Sequence, residues 1–158
     1  GRNQKMSKIQ ALGIDFGTTN TVVAVRDENG KTRVLPIDPG ADHPALFKTL
    51  LYFPSRKNVF FGKSAIGEYF EQGMEGRFFQ SVKRLLPNPD FTGTSLFGTH
   101  AGIEDLISAF LRDVKRRVEK EVGSIEHVPV FFGRPARYSQ EPAREGLAVV
   151  RFKRSVEM

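Results

Sequence analysis

Apolar and β-branched positions near the start of the chain predict three consecutive strands. IQALGID alternates loosely up to Asp15, and the β-branched TVVAVRD follows after a short loop, so these two segments are expected to pair as a hairpin. Asn29-Gly30 then gives a strong two-residue hairpin signal. With KTRVLPI as the third strand, the pattern predicts an antiparallel meander over residues 9–37.

A helical pattern dominates the last third of the chain. Apolar residues recur there at three- and four-residue steps, which defines one helix face over residues 103–122: Ile103, Leu106, Ile107, Phe110, Leu111, Val114, Val118 and Val122. Gly123 stands where a C-terminal glycine belongs. One long amphipathic helix is therefore predicted to pack on the meander.

A strand and a second helix are predicted to follow. HVPVFFG is a short apolar run bounded by Gly133 and Pro135, as expected of a buried strand. Ser139 is placed to cap a last helix over 139–157, with Pro142 in its first turn. No stop signal precedes Met158, so we expect the chain to end within this element.

The region between these parts is irregular and rich in Gly, Pro and Phe. TLLYFPS and NVFFG are predicted as short strands and SAIGEYFEQG as a short helix. The predicted organisation is a hairpin and meander over 9–37, an inserted sublobe over 38–98, and a helix-strand-helix unit over 99–158. The fold class is α/β, a mixed sheet flanked by helices.

Composition narrows the classes of function. The 158 residues suit one domain, with 39% hydrophobic and 27% charged residues and no apolar run near the ~20 residues of a membrane span. Absence of cysteine excludes disulfide frameworks, thiolate metal sites and thiol nucleophiles. The polar N-terminus lacks the apolar centre of a signal peptide, and a cytoplasmic location is expected. The net charge is +6. Much of the positive charge lies at the two ends, Arg151 included, and in RDVKRRVEKEV, where interleaved acidic residues indicate a solvated helix face.

The stretch GIDFGTTN carries the clearest candidate chemistry. A bound phosphate needs backbone N–H groups in a concavity, hydroxyl donors and a nearby cation. Gly17 permits close backbone approach, Thr18 and Thr19 offer N–H and hydroxyl groups, and Asn20 adds a further N–H. Asp15 is placed to hold Mg²⁺ through its water shell. The loop joins two strands and lacks GxxxxGK[ST], so it is not a Walker loop.

GIDFGTTNTVVAV resembles the first phosphate motif of the actin, hexokinase and heat-shock ATPase superfamily, and most closely that of the heat-shock protein seventy chaperones. FFQSVKRLLP resembles the segment with that family's catalytic lysine, which maps onto Lys83. IEHVPVFFGRPARYS is similar to the strand and turn after the family's long helix, with Gly-Arg-Pro closer to divergent bacterial relatives.

The resemblance implies a ribonuclease-H-like, actin-like ATPase half-domain that binds ATP or ADP with Mg²⁺. Gly17, Thr18, Thr19 and Asn20 become phosphate contacts, with Asn20 acting through its backbone because the chaperones commonly have tyrosine there. Asp15 becomes the metal-shell carboxylate, and Lys83 the cation near the γ-phosphate. Unfolded protein clients or a co-chaperone would be partners of a full-length parent.

The resemblance covers nearly all of residues 9–158, which is well under half of such an ATPase domain. The second phosphate motif, the residue that positions attacking water and the adenosine pocket would follow Met158. We therefore expect the isolated chain to bind magnesium nucleotide weakly or not at all, and to be inactive as an ATPase. We also expect self-association, or exchange of an element between copies, through the last helix and the uncovered side of the cleft. The helix offers Val149, Phe152 and Val156 at helical spacing.

Alternative functions remain open at the level of sequence. A sugar or acyl kinase of the same superfamily would share the loop but lack the Lys83 segment. A ribonuclease-H-like nuclease would use Asp15 with further carboxylates at neighbouring strand ends, and HVPVFFGRP carries none. A nucleic-acid module would need interleaved aromatic and basic residues, but the aromatics near basic residues are more typical of core: Phe78, Phe79 and Phe152. The histidines lack metal-ligand spacing: His43, His100 and His127.

Overall fold

The computed structural model describes residues 7–133 and 141–157 and is a mixed α/β structure. Its main sheet has the order β10-β1-β2-β3, with the short β4 also paired to β2. These strands are β1 (Ile9–Phe16), β2 (Asn20–Asp27), β3 (Thr32–Val34), β4 (Phe47–Lys48) and β10 (Val130–Gly133). β10 runs parallel to β1, whereas β2, β3 and β4 pair antiparallel.

The predicted meander is confirmed. Burial alternates along β1, where Leu12, Ile14 and Phe16 face the core, as a half-buried strand requires. At the β2–β3 turn the Asp27 carboxylate accepts the N–H groups of Asn29 and Lys31, and Gly30 has a φ of 76°. The third strand, Thr32–Val34, is shorter than predicted, although the Leu35 N–H still donates to the Val23 carbonyl at 2.8 Å and the chain then continues into the core.

A second, three-stranded sheet has the order β6-β5-β7 and carries helix α1. Its elements are β5 (Leu50–Ser55), β6 (Asn58–Phe61), α1 (Lys63–Glu71) and β7 (Arg77–Gln80). The two strands and the helix predicted between residues 49 and 73 are thus confirmed. A further hairpin was not predicted: β8 (Gly93–Leu96) with β9 (Thr99–Gly102).

Helix α2 (Ile103–Val122) has the predicted bounds, and its apolar face lies in the core. The Asp105 carboxylate accepts the Gly102 N–H at 2.8 Å, and Gly123 ends the helix with a φ of 83°. One side of RDVKRRVEKEV is not solvated as predicted. Asp113 is buried and pairs with Arg117, whose guanidinium also donates to the Ile37 carbonyl.

Helix α3 (Pro142–Glu157) begins at the proline placed in its first turn, and the predicted cap Ser139 lies outside the described residues. The expectation that Phe152 is available for self-association is wrong. Its ring stacks on Phe16 at 5.9 Å and contacts Phe132 edge-on at 5.3 Å, so the side chain is buried in its own chain. Val156, on the same helix, is exposed.

HVPVFFG does contain a strand, Val130–Gly133, but the prediction that this strand is buried is wrong. β10 pairs with β1 alone among the described strands, so it is an edge of the main sheet. The Phe131 side chain is 63% exposed and Val130 is exposed beside it. Apolar composition alone does not distinguish a central strand from an uncovered edge. Among the described residues, no helix is long and apolar enough to cross a bilayer.

Candidate phosphate-binding site

The turn between β1 and β2, residues 17–20, is closed by its own backbone. The Gly17 N–H donates to the Asn20 carbonyl at 3.0 Å. A Cβ atom at Gly17 would lie 2.3 Å from that same carbonyl oxygen, closer than real contacts allow. Glycine is therefore required at this position by the turn itself, before any ligand is considered.

A buried threonine that sequence reasoning missed holds this turn in place. The Thr49 N–H donates to the Thr19 carbonyl at 2.9 Å, and the Thr49 hydroxyl donates to the Gly17 carbonyl at 2.9 Å. Since that hydroxyl has one proton, the Thr21 hydroxyl must be the donor in the 2.9 Å contact between the two threonines. Both side chains are fully buried. The sequence shows only a threonine before the apolar run LLYF. Because its hydrogen-bond partners lie about 30 residues away, no local pattern identifies its role.

The bracing leaves hydrogen-bond donors of the turn available. Within the described part of the chain, neither Thr18 nor Thr19 uses its N–H or its hydroxyl in a hydrogen bond with another protein group. Thr18 is half-buried and Thr19 is exposed. These groups are the donor set that a phosphate requires, held by Thr49 in a fixed turn.

Lys83 reaches the base of the same turn from far along the chain. It lies in a 3₁₀ helix (Val82–Leu85), and its Nζ donates to the Phe16 carbonyl at 2.5 Å, across 67 positions of sequence. Burial lowers the pKa of the Lys83 amine below its ordinary value of 10.5, while attraction to the Asp15 carboxylate acts in the opposite direction. The structure thus brings together Asp15, the 17–20 turn and Lys83.

A buried arginine of α3 supports the Lys83 segment. The Arg151 guanidinium donates to the carbonyls of Leu85 and Leu86 at 3.2 Å each and to that of Asn88 at 2.8 Å. It therefore satisfies carbonyl groups at the C-terminal end of the 3₁₀ helix, where a cation is favoured. The distribution of charge along the sequence groups Arg151 with the basic residues at the end of the chain, whereas its side chain is buried.

Ser81 also lies at the site in an unusual conformation. It precedes the 3₁₀ helix with φ 57° and ψ 33°, in the left-handed region that residues other than glycine seldom adopt. Together with Thr18 and Thr19 it lines a cleft of about 260 Å³. The conformation orients the chain so that Val82 enters the core while Lys83 turns toward the Phe16 carbonyl.

The cleft suits phosphate groups better than the larger cavities do. A groove of about 480 Å³ between α2, α3 and the β1–β10 edge is lined mainly by apolar side chains. A second cavity of about 460 Å³ adjoins the cleft and shares Lys48 and Ile66 with it; Asn20 lines this second cavity. Hydroxyl and backbone donors are concentrated in the smaller cleft, which we regard as the candidate site despite its volume.

The carboxylates near the turn determine how Mg²⁺ would be held. In the described part of the chain, no three His, Cys, Asp or Glu side chains are grouped to hold a metal ion directly. Asp15 is an exposed carboxylate that precedes the turn by two residues. One carboxylate fits a magnesium ion that keeps most of its waters and takes its other ligands from phosphate.

Comparisons with known proteins do not assign the chain to a family. No protein-family model matches it, and no curated protein has a significant sequence match.

Proposed function

We propose that the chain is the first lobe of an actin-like ATPase with a ribonuclease-H-like fold, similar to the heat-shock protein seventy family, and that the 17–20 turn and Lys83 bind the phosphates of a magnesium nucleotide. The observation that carries this proposal is the position of the Lys83 amine at the Phe16 carbonyl, directly before the turn. In the described part of the chain, this cation lies next to a turn whose Thr18 and Thr19 donors have no protein acceptor, and such a combination is suited to a polyphosphate.

The topology supports the fold part of the proposal. An antiparallel meander is extended by a parallel strand next to its first strand, and a long helix connects the two parts. Because β1 and β10 are parallel, their carboxyl ends lie side by side, and Asp15 there pairs with Gly133. Ligands in open α/β sheets bind outside the carboxyl ends of the strands.

The same observations weigh against the alternatives. A nuclease would need further carboxylates near Asp15. The residue paired with Asp15 in the neighbouring strand is Gly133, and the described residues contain no group of three side chains that could hold a metal ion. A sugar or acyl kinase would not require the Lys83 segment. The contact of Lys83 with Phe16 therefore favours the chaperone-like ATPase among these functions.

Each residue then has a defined task. The hydroxyl and N–H groups of Thr18 and Thr19 donate to phosphate oxygens, and Lys83 neutralises charge on the phosphate nearest to it. Asp15 accepts hydrogen bonds from the water shell of the metal. Mg²⁺, when bound, neutralises and orients the phosphate oxygens. Hydrolysis needs charge stabilisation from several sides, so the proposed activity belongs to a site that a second lobe closes.

An NMR titration of the chain with Mg·ATP tests the binding step. We expect a dissociation constant on the order of millimolar, because the donors recognise phosphate groups and the cleft is smaller than the ~300 Å³ at which small-molecule pockets begin. Amide shifts should concentrate in residues 17–20, Thr49 and Lys83. Thr18→Ala should weaken binding, and Thr99→Ala, on the distant β8–β9 hairpin, should not. Shifts elsewhere, or none at high ligand concentration, would contradict the proposal.

In a form of the protein that hydrolyses ATP, Lys83→Ala and Thr18→Ala should each reduce kcat strongly, about 100-fold for a lost charge or donor at the transferring phosphate. Lys57→Ala, which changes an exposed lysine in the β5–β6 turn, is the matched control. An unchanged kcat in the Lys83 variant would refute its assigned role.

A further inference from the structure

We propose that Lys48 is a second cation of the phosphate site, so that the 17–20 turn receives its polyphosphate between two lysines. This inference rests on the proposed function and adds a residue to it that no feature of the sequence singled out. Lys83 approaches the start of the turn at Phe16, and Lys48 stands at its other end, where it pairs with Asn20 between β4 and β2.

The backbone around Lys48 is fixed to the turn by hydrogen bonds. Its neighbour Thr49 donates its N–H to the Thr19 carbonyl and its hydroxyl to the Gly17 carbonyl. Phe47, on the other side, is fully buried and stacks on Phe110 at 5.1 Å. Because residues alternate along a strand, Lys48 between these two buried neighbours must face away from the core. Its position relative to the turn is therefore set by the fold.

Lys48 also lines the candidate phosphate cleft. It borders the cleft of about 260 Å³ together with Thr18, Thr19 and Ser81, and it separates this cleft from the adjoining cavity of about 460 Å³. In the described part of the chain, no hydrogen bond or ion pair engages its ammonium group. An exposed cation that lines a cleft of hydroxyl and N–H donors is suited to bind an anion there.

The ligand class follows from having one lysine at each end of the turn. A single phosphate group contacts one end, whereas a chain of condensed phosphates has charge enough to interact with both lysines. We infer that Lys48 increases affinity for a triphosphate more than for orthophosphate. The predicted ligand is the polyphosphate part of a nucleotide, and inorganic triphosphate contains this chemistry without a base or sugar.

Calorimetric or NMR titration of the chain with inorganic triphosphate and with orthophosphate tests the inference. Lys48→Gln should weaken triphosphate binding about three- to tenfold and affect orthophosphate less. It should also flatten the salt dependence of triphosphate affinity, since one interacting charge has been removed. Lys48→Arg should retain most of the affinity, and Lys57→Gln, which removes an equal charge at a distant exposed site, should behave as wild type.

The outcomes separate this inference from the function on which it rests. If wild type binds triphosphate and Lys48→Gln binds it equally well, or if Lys57→Gln loses as much affinity, Lys48 has no specific role and the inference fails alone. If wild type binds no triphosphate at all, the phosphate site itself is refuted and Lys48 with it. Because Lys48 is exposed, its variants should retain the wild-type amide spectrum outside the cleft.

Discussion

At the scale of single residues, the candidate site depends on side chains that satisfy one another across long stretches of sequence. Thr21 and Thr49 form a buried hydroxyl pair, and the Thr49 hydroxyl donates its hydrogen bond to the Gly17 carbonyl. Lys83 is partly desolvated and is attracted by Asp15. Both arrangements can be tested by substitutions that preserve shape and remove one polar group.

Thr49→Val should lower the free energy of unfolding by roughly 1–3 kcal/mol, because it leaves the Gly17 carbonyl and the buried Thr21 hydroxyl without partners. Urea denaturation measures the change. Thr21→Val with Thr49→Val should cost less than the sum of the single changes, since the unpaired hydroxyl is then absent. Thr99→Val on an exposed strand is the control, and an equal loss there would show that the hydroxyl pair contributes nothing specific.

The Lys83 amine should titrate below 10.5, and Asp15→Asn should lower its pKa further by removing the attraction that partly offsets burial. A folded-state pKa below the unfolded value means that the unfolded chain binds more protons between those two values. The free energy of unfolding contributed by Lys83 should therefore rise with pH across that interval. NMR of the lysine side chain measures the pKa, with Glu71→Gln as a distant carboxyl control. A Lys83 pKa that rises in Asp15→Asn would contradict the assignment.

At the scale of elements, the last helix supports the segment that carries Lys83. The buried Arg151 of α3 donates to the carbonyl groups of Leu85, Leu86 and Asn88, where the 3₁₀ helix with Lys83 ends. α2 closes the other side through its apolar face. The position of Lys83 thus depends on two helices that contribute no side chain to the cleft.

Arg151→Met should lower the free energy of unfolding by about 2–3 kcal/mol, because buried carbonyls lose a charged donor that methionine cannot replace. It should also weaken phosphate binding through Lys83. Lys153→Met, which changes an exposed residue of the same helix, is the matched control. Chemical denaturation measures the first effect and the triphosphate titration the second. If the free energy of unfolding and the triphosphate affinity are both unchanged, Arg151 does not support the segment.

At the scale of the whole molecule, the described strands leave the main sheet with two edges, β3 and β10, and β10 is the one that exposes an aromatic side chain. Phe131 and Val130 are exposed there, and the apolar groove between α2 and α3 adjoins them. Since Phe152 is buried, the last helix is not the surface through which we propose self-association. Among the described strands, β10 has a partner on one side only, and an exposed apolar edge of this kind is a template for another strand.

We therefore expect two copies of the chain to pair through β10, so that the apparent mass rises with concentration in sedimentation experiments. Phe131→Ser should shift the equilibrium toward monomer. Phe70→Ser is a close control, because Phe70 on α1 is 64% exposed, against 63% for Phe131, and lies away from the edge. A strict monomer at high concentration, or an equal effect of both substitutions, would exclude β10 as the contact.

The sequence alone determined the features that depend on neighbours in the chain. The meander and α2 were predictable because the period of apolar residues and the turn residues are local signals, and the donors of the 17–20 turn could be listed for the same reason. Tertiary structure decided the rest. The hydroxyl pair of Thr21 and Thr49 spans 28 positions, and the Arg151 contacts span 63 to 66. Lys83 was placed beside the turn only through resemblance to a family, and its contact with Phe16 spans 67 positions. The exposure of Phe131 depends on which strands lie beside β10, and a residue type does not determine its neighbours in a sheet.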